Sequence, residues 1–187
     1  MEMMKTFEQD IKKYRDKQYI EIEIRLGKIN RNIFDTNVGK HAFDRVLAGL
    51  DQFTGWESKT KIEDEVYYWG NGVRCVYTDS DCVYEKKNKI LKNDLSLENK
   101  FDVRLGISQE IPCEMPTDDA NRCVSRVRFS FLRKNVRIDM TIVKGPPKDK
   151  DSEESISYQI ELEILSAKTD QEIFSALNKV HDILKLV

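Results

Sequence analysis

Hydrophobic and polar residues alternate with period two in Ile20-Glu21-Ile22-Glu23-Ile24-Arg25-Leu26, the pattern of an amphipathic β-strand. Ile20, Ile22, Ile24 and Leu26 form one face, and Glu21, Glu23 and Arg25 the other. A near copy, Ile160-Glu161-Leu162-Glu163-Ile164, lies near the far end. Between them the period changes several times. Met4, Phe7, Ile11 and Tyr14 recur at three- and four-residue spacing and predict a helix over Met3–Gln18. After a turn around Asn30–Asn37, Phe43, Val46, Leu47 and Leu50 predict a second helix over Val38–Phe53. Strands are then expected near Glu57–Trp69, Val73–Thr78, Cys82–Leu91, Lys100–Ile111, Cys123–Leu132 and Val136–Val143. Gly70-Asn71-Gly72, Asp79-Ser80-Asp81 and Arg133-Lys134-Asn135 read as tight connections. Lys144–Ser155, with two prolines and alternating charge, reads as a connecting loop before a strand over Ile156–Leu165. Thr169 and Glu172 form a capping-box signature ahead of a closing helix striped by Ile173, Leu177, Val180 and Leu184. The expectation is about eight strands, mostly antiparallel because their turns are short, with three helices.

The polar faces are unusually charged. Asp102, Arg104, Ser108 and Glu110 share one face of their strand, against Phe101, Val103, Leu105 and Ile107. Arg126, Arg128 and Ser130 oppose Val127, Phe129 and Phe131. Arg137, Asp139 and Thr141 alternate with Ile138, Met140 and Ile142, and Glu85, Lys87 and Lys89 share a face. Two architectures fit. In one, the apolar faces make the core and the charged faces meet water. In the other, the sheet closes with its charged faces lining a lumen and helices covering the outside, which also removes the edge strands. Burying so many charges is costly unless they pair or bind a charged ligand. Carboxylates for a cation and guanidinium and ammonium groups for phosphate oxygens would suit a metal–polyphosphate.

Composition narrows the partners. The chain has 187 residues, consistent with one domain over 1–187, and 34% are charged. Thirty-one Lys and Arg against 33 Asp and Glu leave a net charge of −2, so a polyanion must be held by local basic groups. An intracellular protein without membrane segment or signal peptide is expected. Cys75, Cys82, Cys113 and Cys123 form no CxxC pair and read as free thiols; His41 and His181 read as packing or surface residues.

In order along the chain, these stretches resemble the metal-dependent RNA 5′-triphosphatases of fungal and large-DNA-virus mRNA capping, a branch of the triphosphate tunnel metalloenzymes. Glu21-Ile22-Glu23, Val73-Arg74, Tyr84-Glu85-Lys86-Lys87-Asn88-Lys89-Ile90, Asp102 through Glu110, Arg126 through Phe131, Arg137 through Thr141 and Glu161-Leu162-Glu163 carry the likeness. The compact length is most similar to the single-domain viral members. The resemblance implies a mainly β (α+β) fold: a closed antiparallel eight-stranded barrel with a charged lumen and flanking helices. It implies Mn²⁺ or Mg²⁺ held by Glu21, Glu23 and Glu163 with help from Glu161, and a water oriented by Glu110. Arg74, Lys87, Arg126 and Arg128 would bind phosphate, while Arg104, Arg137, Asp139 and Thr141 would position them or touch phosphate. Strand parity favours Lys87 over Lys86. Arg126 stands where lysine is common, and Gln159 where some members have an acid.

The implied reaction removes the γ-phosphate of 5′-triphosphate RNA to leave a diphosphate end, with manganese-dependent hydrolysis of free nucleoside triphosphates beside it. The implied setting is the site of transcription, nucleus or viral factory, with an RNA guanylyltransferase as partner; no dimer face is legible. Two rivals stand. A tunnel enzyme for inorganic or thiamine triphosphate would usually open with ExExK, where this chain has Arg25. A non-catalytic polyphosphate or RNA-end binding module would tolerate loss of Glu21 or Glu163. A cysteine-phosphatase loop is excluded, since the sixth residue after each cysteine is Asp81, Asn88, Asp119 or Phe129, and no GxxxxGK loop exists.

Overall fold

A computed structural model describes residues 4–79, 81–146 and 156–187. The chain runs α1 (Met4–Tyr14), β1 (Ile20–Asn30), β2 (Ile33–Asp35), α2 (Lys40–Gln52), β3 (Ser58–Tyr68), β4 (Val73–Thr78), β5 (Asp81–Leu95), β6 (Asp102–Pro112), β7 (Arg122–Arg133), β8 (Val136–Lys144), β9 (Ile156–Ile164) and α3 (Asp170–Leu184). The strand order is β2-β1-β6-β5-β4-β3-β7-β8-β9, and β1 also pairs with β9. That last pairing closes every strand except β2 into an antiparallel barrel, with Glu23 opposite Glu163 and Arg25 opposite Glu161. Period-two alternation sends one set of side chains to the lumen and the other outward.

The helices cover half of the outside. Ile22, Ile24, Leu26, Leu105, Ile107, Ile138, Met140, Ile160 and Leu162 point outward and are buried beneath Phe7 and Ile11 of α1, Phe43 and Val46 of α2, and Ile173 and Val180 of α3. This apolar layer is the core, so the hydrophobic driving force acts outside the barrel wall. The β3 part of the opposite wall needs no cover because its outward residues Lys59, Lys61, Glu63 and Glu65 are charged and exposed. Three helices therefore suffice. The Thr169 hydroxyl accepts from the Glu172 amide and the Glu172 carboxylate accepts from the Thr169 amide, so the capping box forms as read.

Three sequence expectations change. The segment read as a turn over Asn30–Asn37 contains β2, raising the strand count among the described residues to nine. It bends across the lumen face of β1, where a Cβ on Gly27 would meet the Asp35 carbonyl at 2.2 Å and the Phe34 ring at 2.3 Å. The Phe34 ring thereby stops part of one barrel end, stacked on the Arg104 guanidinium at 4.4 Å. The strand read as ending at Leu91 continues to Leu95 through a bulge between Lys89 and Leu91. The extra residue shifts parity, so that Lys92 and Asp94 face the lumen. Cys75 and Cys82, read as free thiols, are joined by a disulfide, with their Cα atoms 6.2 Å apart; Cys113 and Cys123 are free. The turn at Ser80 and most of the loop Lys144–Ser155, together with the first residues of the first helix, lie outside the described residues. No helix among the described residues is long and apolar enough to cross a membrane.

Candidate functional site

Glu21, Glu23 and Arg25 enter the lumen from β1, flanked by Ser108 and Gly106 of β6 on one side and Glu161 and Glu163 of β9 on the other. Gly106 leaves the Glu23 carboxylate its place, since a Cβ at that position would lie 3.0 Å from one of its oxygens. Lys87 of β5 stands opposite Glu110 of β6 and bonds three carboxylates: Glu21, Glu110 at 2.9 Å and, more loosely, Glu23 at 3.7 Å. Arg74 of β4 bridges Glu110 at 2.7 Å and its strand partner Glu85. On the far wall, Arg137 of β8 bonds Glu163 and reaches Asp139 at 3.0 Å, while Asp139 accepts from Ser130 of β7 at 2.6 Å. Arg128 points at Asp139 from 3.8 Å. A continuous line of alternating charge thus runs Glu85–Arg74–Glu110–Lys87–Glu21, and resumes at Glu163–Arg137–Asp139–Arg128.

The electrostatics are uneven. Burial works against ionisation of Glu21, yet the Lys87 ammonium and the Ser108 hydroxyl overcome it and hold its carboxyl down to about 2. Glu23 and Glu110 share the same lysine, but burial outweighs their basic partners and both are raised. Glu163 is pushed up to about 7 by burial, with repulsion from Glu21, Asp139 and Glu110 added and only Arg137 opposing. Negative charge is therefore under-compensated where β1 and β9 meet. Positive charge is also under-used, since the buried Nε atoms of Arg25 and Arg128 lack a hydrogen-bond partner among the described residues. A lumen short of cations beside its glutamates, with spare donors on Arg25 and Arg128, is matched to a cation and an oxyanion together.

Among the described residues, no three acids stand arranged as a ready metal cage. Ammonium and guanidinium groups occupy oxygens of Glu21, Glu23 and Glu163 instead. The donor set itself is carboxylate oxygen without thiolate or imidazole, the class that hard divalent cations select. The raised Glu163 carboxyl marks the place where a divalent charge would relieve repulsion. The residues fit such an ion once their basic partners swing away.

A family model described as "mRNA capping enzyme, beta chain" matches residues 73–185. That span takes in β4 to α3 and every lumen strand but β1 and β3. The chain belongs to the mRNA capping enzyme beta chain family. An mRNA-capping enzyme subunit beta from Cryptococcus neoformans is 32% identical over 66 residues, which are 35% of this chain and 17% of that relative. The chain thus matches much less than two thirds of that protein's length. The S. pombe Pct1 RNA triphosphatase superposes with a TM-score of 0.84 at 15% identity, over 100% of this chain and 94% of that one. The Mimivirus capping enzyme triphosphatase gives 0.68 at 17% identity, over 98% and 95%. At these identities the two structures speak for the fold, the closed tunnel described above.

Within this capping-enzyme fold, the lumen face gathers Glu21, Glu23, Arg74, Lys87, Arg104, Glu110, Arg126, Arg128, Arg137, Asp139, Thr141, Glu161 and Glu163. Lys86 pairs with Val73 and Ile111 and faces out. Three of these residues stand apart from the central line. Arg126 makes a bidentate pair with Asp64 of β3 at 2.7 and 2.8 Å. Arg104 is clamped to Asp94, at 2.7 Å for its second contact, beneath Phe34. Glu161 bonds Arg25 at 3.1 Å, and the same guanidinium holds Glu23 at 2.9 Å. Sequence reasoning did not place Arg25 and Asp64 in the site. Arg25 shares the face of Glu21 and Glu23, so parity was an adequate signal. Asp64 lies in Lys61-Ile62-Glu63-Asp64-Glu65, where charge on both faces erases the alternation.

Proposed function

We propose that this protein removes the γ-phosphate from 5′-triphosphate RNA, leaving a 5′-diphosphate end for capping. The observation that carries the reading is the meeting of Glu21 and Glu23 with Glu163 inside a closed tunnel whose other strands supply Lys87, Arg74, Arg128 and Arg137. Membership of the capping enzyme beta chain family supports it. Mn²⁺ or Mg²⁺ held by Glu21, Glu23 and Glu163 would supply positive charge next to the phosphoryl oxygens. Glu161, steadied by Arg25, supports that carboxylate set.

The side chains have separable tasks. Lys87 and Arg74 are assigned to the γ-phosphate oxygens, because both already bond carboxylate oxygens that a phosphate would replace. Arg128, whose Nε has no hydrogen-bond partner among the described residues, is assigned to a second phosphate. Arg126 can add only the donors that Asp64 leaves unused. Glu110, whose carboxyl burial raises, orients the attacking water once its two basic partners turn to phosphate. Arg137, Asp139 and Thr141 position these groups, with Asp139 fixed by Ser130. Arg104, locked to Asp94, keeps the lumen end in shape. Catalysis of this kind is positioning and charge stabilisation, and removing one such donor costs about 10²–10³ in rate.

Manganese-dependent hydrolysis of free nucleoside triphosphates belongs to the same proposal, since they present the same three phosphates. So do action at the site of transcription and partnership with an RNA guanylyltransferase. The S. pombe Pct1 RNA triphosphatase, which shares this fold, has been seen in complex with the Spt5 CTD. The test compares phosphate release from 5′-triphosphate RNA, ATP and inorganic triphosphate under single-turnover conditions. The reading expects RNA to react with the highest kcat/KM. Preference for inorganic triphosphate, or binding of all three without release, would overturn it.

A further inference from the structure

The two ends of the barrel are chemically unlike. β4 pairs with β5 only as far as Lys86, so β5 from Lys87 to Leu95 has β6 on one side and, among the described residues, no strand on the other. That bare edge borders one mouth. Lys89 and Lys92 face the lumen along it, in register with Ser108 and Gly106 and, one strand further, with Glu21 and Glu23. Both lysines are exposed and make no ion pair among the described residues. Asp94, the acid next along that face, is committed to Arg104. Phe34 closes the strip beyond, so the opening that remains lies over the lysines. The top of β7 adds Arg122, stacked on Tyr68 at 5.6 Å, and Tyr68 is the strand partner of Arg74. At the other mouth β3 runs past the β4–β5 hairpin, pairing with β7 alone from Ser58 to Asp64. Exposed Thr60, Ile62 and Val83 line it, and the hairpin carries Asp79 and Asp81.

We infer that Lys89 and Lys92 form a track for the phosphodiester backbone of single-stranded RNA, and that the triphosphate end enters the tunnel through this mouth. The inference rests on the proposed function and adds the direction of entry and the residues that favour RNA over free nucleotide. A nucleotide has no backbone beyond its triphosphate, so it cannot use the track. Unpaired lysines attract a polyanion, whereas Asp79 and Asp81 on the hairpin at the other mouth repel it. The bulge at Ile90 is what makes the track, since without it Leu91 and not Lys92 would follow Lys89 on the lumen side.

The test uses the full chain as wild type, Lys89→Ala/Lys92→Ala and Asp79→Asn/Asp81→Asn. Two readouts are taken: kcat/KM for a short 5′-triphosphate oligoribonucleotide against ATP, and binding of the matching 5′-hydroxyl oligoribonucleotide over a KCl series. In the lysine variant, the RNA-to-ATP ratio of kcat/KM should fall about tenfold, and the salt slope of binding should flatten by about 1.4, roughly 0.7 for each lost contact. The aspartate variant should change neither. An equal loss for RNA and ATP, an unchanged slope, or an effect confined to the aspartate variant would overturn the inference. If no substrate is hydrolysed but the slope still changes, the track stands and the triphosphatase reading fails. If hydrolysis is normal and the lysine variant behaves as wild type, the track fails alone.

Discussion

Lys87→Met isolates the most heavily used side chain in the lumen. Lys87 is 17% exposed and bonds Glu21, Glu23 and Glu110, so a neutral side chain of similar length leaves three buried carboxylates facing one another. The Glu21 carboxyl is held at about 2 instead of 4.5, against the opposing pull of burial, chiefly by this lysine. A depression of that size corresponds to about 3 kcal/mol at neutral pH. Breaking a buried pair by deleting one partner independently suggests about 3–5 kcal/mol. Because the folded pKa is depressed, this stability is fully present above 4.5 and is lost as pH falls towards 2. The variant moves the other way, since its raised carboxyls take up protons as pH falls and so relieve the repulsion. The assay is thermal unfolding in EDTA at pH 7 and pH 5. At pH 7 the variant should melt about 6–12 °C below wild type, and the gap should narrow at pH 5. Equal melting temperatures, or a gap that does not depend on pH, would refute the view that this lysine neutralises the carboxylates of the metal-free tunnel.

Glu163→Gln should behave oppositely to most carboxylate losses. Its carboxyl is raised to about 7, so the folded protein holds a proton that the unfolded chain releases near 4.5. In EDTA, wild type should therefore lose about 3 kcal/mol relative to the glutamine variant as pH rises from 4.5 past 7, measured as the difference in unfolding free energy. Gly27→Ala should lower the melting temperature by 5 °C or more, on the order of 2 kcal/mol, because its Cβ would meet the Asp35 carbonyl at 2.2 Å. Reducing the Cys75–Cys82 bond, which joins residues separated by 7 in sequence, should cost about 2 kcal/mol, checked by melting with and without dithiothreitol.

Much of this arrangement is legible wherever a strand keeps apolar residues on one side only. In β1, β7, β8 and β9 the alternation assigns lumen and outer faces residue by residue; in β5 it favours Lys87 over Lys86, and the register puts Lys87 in the lumen. It does not show closure, because amphipathic strands serve an open sheet equally well; closure appears in the pairing of β1 with β9. The β5 bulge was invisible because Ile90-Leu91-Lys92-Asn93-Asp94 has no unique parity until its partner strand fixes the register. Asp64 was hidden by the charged outer face of β3, which needs no helix over it. The Cys75–Cys82 bond joins two strands of one hairpin on their outward side, a juxtaposition that spacing alone does not disclose. Three helices cover the barrel because the β3 wall is polar outside and stays bare.

The central claim is that Glu21, Glu23 and Glu163 hold a divalent ion at which the γ-phosphate is cleaved. The most direct measurement is single-turnover release of labelled γ-phosphate from 5′-triphosphate RNA, with Mn²⁺, with Mg²⁺ and with EDTA, by wild type, Glu21→Ala and Glu163→Ala proteins. The account predicts release with metal, none in EDTA, and losses of about 10²-fold or more in each variant. Wild-type release in EDTA, or undiminished release by Glu163→Ala, would contradict it.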